Sequence, residues 1–228
     1  MSNNPIIHLQ GISVFQKNKL VLANVNLTIE QGDFVYLIGK TGSGKSSLLK
    51  LIYADLPLET GLGNACGFDL KNIKRKEIPF LRRKLGIVFQ DFQLLADRSV
   101  KENMNFVLKA TGWKDKTEIS KRILTVLDAV GLVSKLNEMP HRLSGGEQQK
   151  IVIARALLNQ PEVILADEPT GNLDPEASNE IVKLLLRISE SGKTVIMATH
   201  NYNLIHKFPG QVVKCEEGSI TQSTNKLD

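Results

Sequence analysis

The sequence predicts an α/β fold: a mostly parallel sheet flanked by helices, with an antiparallel β-rich part at the N-terminus and a helical insert. Three observations predict it. Short, mostly apolar runs stand at Phe34–Ile38, Leu85–Phe89, Val163–Ala166 and Thr194–Ala198. They lack the alternation of a half-solvated strand, as expected of parallel strands covered on both faces. Helical patterns fill the stretches between them. Finally, Lys45, Gln90, Asp167, Glu168 and His200 all fall just after such runs, and a parallel sheet gathers its ligand at the carboxyl ends of its strands.

Taken in order, Ile6–Phe15 and Leu20–Ile29 read as two strands joined by the polar turn Gln16–Lys19. Phe15 suits either a core position or an aromatic that stacks on a base. After Phe34–Ile38 comes Gly39-Lys40-Thr41-Gly42-Ser43-Gly44-Lys45-Ser46, which fits G-x-x-x-x-G-K-[ST], and Ser47–Ile52 reads as the start of a helix. Strand, glycine-rich loop and helix start together make a triphosphate cradle. The glycines let successive N–H groups turn inward, and the helix start adds unpaired N–H groups and a positive dipole end. Lys45 supplies a point charge for the terminal phosphates, and the Ser46 hydroxyl can bind Mg²⁺. The sheet is therefore expected to be a phosphate-loop ATPase core.

Leu56–Gly63 reads as a loop, and Gly67–Leu70 as a return to the β-rich part. Ile78–Arg83 reads as a short helix surrounded by Lys71, Lys74, Arg75, Lys76, Arg82, Arg83 and Lys84. That cluster suits a solvated face, or a surface that meets phosphates or anionic lipid heads. Apolar spacing at Val100, Met104, Val107 and Leu108, and at Ile119, Ile123, Val126, Leu127 and Val130, predicts helices. Ser144 and Glu147 form a capping box for a further helix reaching about Asn159. Pro175–Ser191 is expected to be helical, and two short strands are expected near Gln211–Lys214 and Ser219–Gln222. One ATP-binding domain is thus expected over residues 4–222, with a helical subdomain at 92–158 and a frayed tail at 223–228.

At the strand ends, Asp167 is placed to hold hydrated Mg²⁺, which takes one or two carboxylate contacts, so that Asp167 and Ser46 suffice. Glu168 is placed to orient an attacking water; an acid pair followed by Pro169 would also suit a helix cap. His200 suits a structural role and a γ-phosphate contact equally. Gln90 can bridge the metal's hydration shell and the helices that follow it, or be an ordinary strand-end Gln.

The charge balance, 29 basic against 24 acidic residues, is mildly positive. It fits an anionic ligand or a membrane surface, and without a long basic run no nucleic-acid partner is expected. Cys66 and Cys215 are too few for a disulfide framework, which suits a reducing compartment. Met1–Pro5 begins no signal-peptide pattern, and no apolar run approaches the ~18 residues of a membrane span. Any membrane role is therefore expected to go through a partner.

Leu143-Ser144-Gly145-Gly146-Glu147, followed by Gln148-Gln149-Lys150, resembles the signature of ABC-type ATPases. The phosphate loop, Gln90, Val163–Glu168, the Asn172-Leu173-Asp174 D-loop and His200 stand in the family's order. The resemblance implies ATP and Mg²⁺ as cofactors. Phe15 and residues 39–47, Ser47 included, would then hold ATP, with Ser46, Gln90 and Asp167 at the metal and Glu168, Gln90 and His200 in catalysis. It also implies a head-to-tail homodimer in which Ser144, Gly145, Gly146 and Asp174 act on the partner's ATP. Phe15, Ser47, Asn201 and Lys150 depart from the family's usual Tyr, Thr, Asp and Arg.

Within the family the likeness is strongest to the cell-division branch. That implies a peripheral protein on the cytoplasmic side of the membrane and an FtsX-like integral membrane subunit. This partner would dock on the Gln90 loop and helical insert and relay control to cell-wall hydrolysis. The alternatives are the ATPase of a lipoprotein-releasing or macrolide-type exporter, a soluble ABC ATPase acting on nucleic acid or ribosomes, and a nucleotide-gated binding module.

Overall fold

The computed structural model describes residues 5–208 and 210–223. Two sheets are present. β1 (Ile7–Gln16) and β2 (Lys19–Ile29) form a hairpin that β4 (Leu62–Ala65) and β5 (Phe68–Asp69) extend, giving an antiparallel sheet of order β2-β1-β4-β5. The second sheet has the order β10-β9-β3-β8-β7-β6. Its strands are β3 (Phe34–Ile38), β6 (Leu85–Val88), β7 (Val163–Asp167), β8 (Thr194–Thr199), β9 (Gln211–Glu216) and β10 (Ser219–Ser223). Neighbours are parallel except for the β9–β10 hairpin at one edge.

Pleating explains the apolar runs. Val35, Leu37, Val163, Leu165, Ile196 and Ala198 point to one face, where they pack with the small sheet and α1 (Lys45–Ile52). Tyr36, Ile38, Ile164, Ala166, Val195 and Met197 point to the other. There they meet α5 (Gly145–Leu157) and α6 (Pro175–Glu190), with α3 (Val100–Ala110) and α4 (Lys116–Ala129) beyond. With both faces covered, a strand needs no polar side. Tyr36 is fully buried, and its hydroxyl donates to the Phe208 carbonyl at 2.7 Å; burial pushes its ionisation well above the usual tyrosine range.

The helix starts follow side-chain chemistry. Ser99 with Glu102 and Ser144 with Glu147 close capping boxes on α3 and α5. Asp115 caps α4, and Asp174, followed by Pro175, caps α6. α2 (Ile78–Lys84) matches the expected short helix.

The structure differs from the sequence expectations in two places. Leu62 and Gly63 are not loop but the start of β4, because pairing with Gln10 and Leu9 of β1 supplies what local propensity lacks. A short helix absent from the sequence reading, α7 (Tyr202–Lys207), follows His200, with Asn201 accepting from the Asn203 N–H at its start. Of the tail expected to fray, Ser223 closes β10 and residues 224–228 lie outside the described residues.

Candidate active site

The loop between β3 and α1 is held by backbone shape. Gly39 has φ 149° and Gly44 φ 103°. A Cβ on Gly39 would stand 2.3 Å from the Cys215 carbonyl oxygen and 2.6 Å from Ser43 Oγ, and one on Gly44 would press into Leu22 at 2.8 Å. The positions are therefore closed to any side chain, both sterically and by conformation. α1 begins at Gly44 without a side-chain cap, so its first N–H groups remain for an anion.

Lys45 is 5% exposed. Expected as a point charge for the terminal phosphates, its Nζ here donates to the carbonyls of Gly39 (2.8 Å) and Lys40 (3.3 Å) and lies 3.4 Å from Glu168 Oε1. The cause is local: the loop's own carbonyls lie five and six residues back and satisfy a buried ammonium. The ammonium is thus held at the mouth of the loop, beside the candidate base.

Glu168 follows β7 with φ 48°, a left-handed conformation costly for a β-carbon residue. Its N–H donates to the Ala198 carbonyl of β8 (3.0 Å) and its own carbonyl accepts from the Gly171 N–H (3.1 Å), so the strain is fixed by flanking structure. Its second carboxylate oxygen lies 3.0 Å from His200 Nδ1. One carboxylate thus joins the ends of β7 and β8 to the phosphate loop, through an exposed imidazole and a buried ammonium.

Asp167 sits on the other side. Ser46 Oγ donates to Asp167 Oδ1 at 3.0 Å. Burial lifts the Asp167 carboxyl above the usual range and the neighbouring Glu168 charge adds to this, while the Ser46 hydrogen bond opposes it. A hydroxyl and a desolvated carboxylate, side by side, are hard oxygen donors of the sort Mg²⁺ accepts with phosphate and water as its remaining ligands. Among the described residues no cluster of three or more His, Cys, Asp or Glu forms an all-protein metal cage.

Gln90 lies two residues beyond β6 and, with Asp167, Lys50 and Tyr53, lines a cleft of about 680 Å³. Its amide faces Gly171, where a Cβ would stand 3.0 Å from Nε2, and its carbonyl accepts from Asn172 Nδ2 at 3.2 Å. Beyond it, Phe92 and Gln93 both have positive φ, 53° and 50°. Arg155 of α5 holds them, donating to the Phe92 carbonyl at 2.9 Å and to the Gln93 carbonyl. Gly171, Asn172 and Arg155 thus support the Gln90 loop. Nothing in the sequence flags Arg155, because it acts on carbonyls more than sixty residues away.

Phe15 is half-buried near the end of β1, opposite Leu20. Ser144, Gly145 and Gly146 stand apart from the loop. They share an open cleft with Asn172, Leu173 and Asp174, and none of residues 39–46 lines it.

The ABC transporter family profile matches residues 22–171. The chain is 45% identical over 205 residues to the cell division ATP-binding protein FtsE of Bacillus subtilis, covering 90% of each chain. Its fold is similar to cbiO1 of Clostridium perfringens, described as part of the ABC transporter complex cbiONQ (TM-score 0.88, 29% identity, 96% of this chain and 88% of that one). It is also similar to the ATP-binding cassette MJ0796 in a dimeric post-hydrolysis state bound to ADP and Pi (TM-score 0.82, 32% identity, 95% and 97%). The chain therefore belongs to the ABC transporter family and is an FtsE-like ATPase subunit within it.

Proposed function

We propose that the chain binds Mg-ATP between two copies of itself and uses the resulting closure to drive an FtsX-like membrane subunit that controls cell-wall hydrolysis in division. One observation carries the dimer: the signature helix start opens into a cleft that none of the phosphate-loop residues lines. Its Gly145 and Gly146 N–H groups form a second anion site, which can meet the triphosphate if a second chain presents it.

In this reading residues 39–47 wrap the phosphates, Lys45 turns from the loop carbonyls to the terminal phosphates, and Phe15 stacks on the adenine. Ser46 and Asp167 would hold Mg²⁺, with Gln90 in the same cleft, and the metal would supply charge stabilisation to the phosphate oxygens. Glu168, displaced from Lys45 as that ammonium engages phosphate, orients water and takes its proton. His200 hydrogen-bonds Glu168 and faces the γ-phosphate. Ser144, Gly145, Gly146 and Asp174 complete the site from the partner chain.

An apolar groove of about 330 Å³ supports a membrane subunit. Ile87, Phe89, Leu95, Phe106 and Val107 line it, with Arg82 at its side, beside the Gln90 loop and α3. An amphipathic helix of the partner fits such a groove, and motion of the Gln90 loop would move it. Among the described residues no helix is long and apolar enough to cross a membrane; a peripheral place on the cytoplasmic face belongs to this reading through the membrane subunit. Likeness to FtsE over nine-tenths of the chain favours division over export.

The test is purification of the tagged chain from detergent-solubilised membranes. The expected partner is one small integral membrane protein with an extracytoplasmic loop, whose depletion blocks cell separation. Recovery of a large exporter permease, or of ribosomes, would overturn the division role.

A further inference from the structure

One feature lies outside this mechanism. The fourteen residues 71–84 hold seven basic residues and one acid, a local charge of +6, against +5 for the whole chain. The remainder, with 22 basic and 23 acidic residues, is almost neutral. The net positive charge of the protein therefore comes from this one short segment, α2 and the loop before it.

The seven cations divide into two groups. Arg82 donates to the Tyr53 and Ala54 carbonyls and lies 3.6 Å from Asp55, and Lys84 reaches the Cys66 carbonyl and Glu162 (2.9 Å). These two, with the fully buried Leu81, bolt α2 to the body. Lys71, Lys74, Arg75, Lys76 and Arg83 have no carboxylate within 4.0 Å among the described residues. The acid among them, Glu77, is occupied in accepting the Lys74 N–H at 2.8 Å. Amid this charge Phe80 is 55% exposed, with the Arg83 guanidinium 5.2 Å from its ring centre.

We propose that this face binds an anionic lipid surface directly, without a protein partner. Rigid anchoring of α2 presents the free cations together, and their mobile stems suit a field of headgroup phosphates with no fixed geometry. Phe80 enters the boundary between headgroups and acyl chains, while Arg83 caps its ring and stays among the phosphates. A nucleic-acid strand fits less well, since it calls for an extended basic track with several stacking aromatics. Arg82 of the same helix borders the apolar groove, so lipid contact there would orient the groove toward the membrane. The inference concerns the isolated chain and stands whichever membrane subunit is found.

The test is co-sedimentation of the purified full chain with two kinds of vesicle. One is pure phosphatidylcholine, the other equal parts phosphatidylcholine and phosphatidylglycerol. Binding is expected only to the second, and it should disappear at ~1 M salt, where the screening length falls to about 3 Å. Lys74→Gln, Arg75→Gln and Lys76→Gln combined should weaken it by about a hundredfold, at about fivefold per charge. Phe80→Ser should weaken it severalfold at unchanged charge. ATP hydrolysis should stay at the wild-type rate in both variants, which also certifies their folding. Equal binding to both vesicles, no binding to either, or a triple variant that binds like wild type would overturn the proposal. So would tighter retention on duplex DNA that ignores Phe80→Ser; that outcome would assign the face to nucleic acid.

Discussion

Two helix starts in this chain are built with glycine, α1 after the Gly39–Gly44 loop and α5 with Gly145 and Gly146 as its first residues, and they are finished differently. α5 is complete: Ser144 Oγ accepts from the Glu147 N–H, and Glu147 Oε2 accepts from the Ser144 N–H at 2.8 Å. The backbone bond from Ser144, and then Lys135 at 3.1 Å, hold the Glu147 carboxyl below the usual range. α1 has no side-chain cap, and glycines in positive-φ conformations lead into it. The capped start keeps its shape alone and can be carried on an outer face. The uncapped start leaves its donors to be satisfied by phosphate. In this account the first is presented to another chain, and the second holds the nucleotide of its own.

This contrast orders the expected effects of substitution. Glu168→Gln touches neither helix start and should leave Mg-ATP binding intact while lowering hydrolysis by about 10²–10⁴, as loss of a positioned base does; single-turnover kinetics would measure it, and unchanged turnover would remove Glu168 from the chemistry. Gly39→Ala drives a Cβ into the Cys215 carbonyl. It should abolish ATP binding and cost ~1–3 kcal/mol of stability, read by nucleotide fluorescence and denaturant melts. Asp167 sharpens the metal side. Its carboxyl is lifted by burial, so protonation competes with Mg²⁺ increasingly as pH falls. The Mg²⁺ concentration for half-maximal hydrolysis should rise toward acid pH, and a chelator should stop turnover. Ser144→Ala should be mildest, costing ~0.5–2 kcal/mol through the lost cap. ATP binding by the monomer should persist while dimer closure weakens, which light scattering in ATP would detect.

Most of the fold was legible because its central strands are covered on both faces, which compresses each into an apolar run. β4 was not, since Leu62-Gly63-Asn64-Ala65 carries no strand pattern and depends on pairing with β1. α7 is six residues long, too short for periodicity to register. At the site, the spacing of the loop, Asp167, Glu168 and His200 reads directly, because each follows a strand and the sheet brings strand ends together. What could not be read is the set of contacts between those ends. The Lys45 ammonium resting on Gly39, Lys40 and Glu168 is one case. The Arg155 guanidinium over the left-handed Phe92 and Gln93 is another. Both depend on loop carbonyl directions, which residue types do not encode.

In the proposed dimer α1 and α5 serve one site only across two chains. This is tested most directly by mixing two inactive variants, Lys45→Ala, which removes the loop's charge, and Gly146→Glu, which blocks the signature. In a two-fold dimer each mixed pair contains one intact site, so mixing should restore about a quarter of wild-type ATP hydrolysis. If mixing restores none while each variant alone remains folded and able to dimerise, loop and signature act within a single chain, which contradicts a shared site.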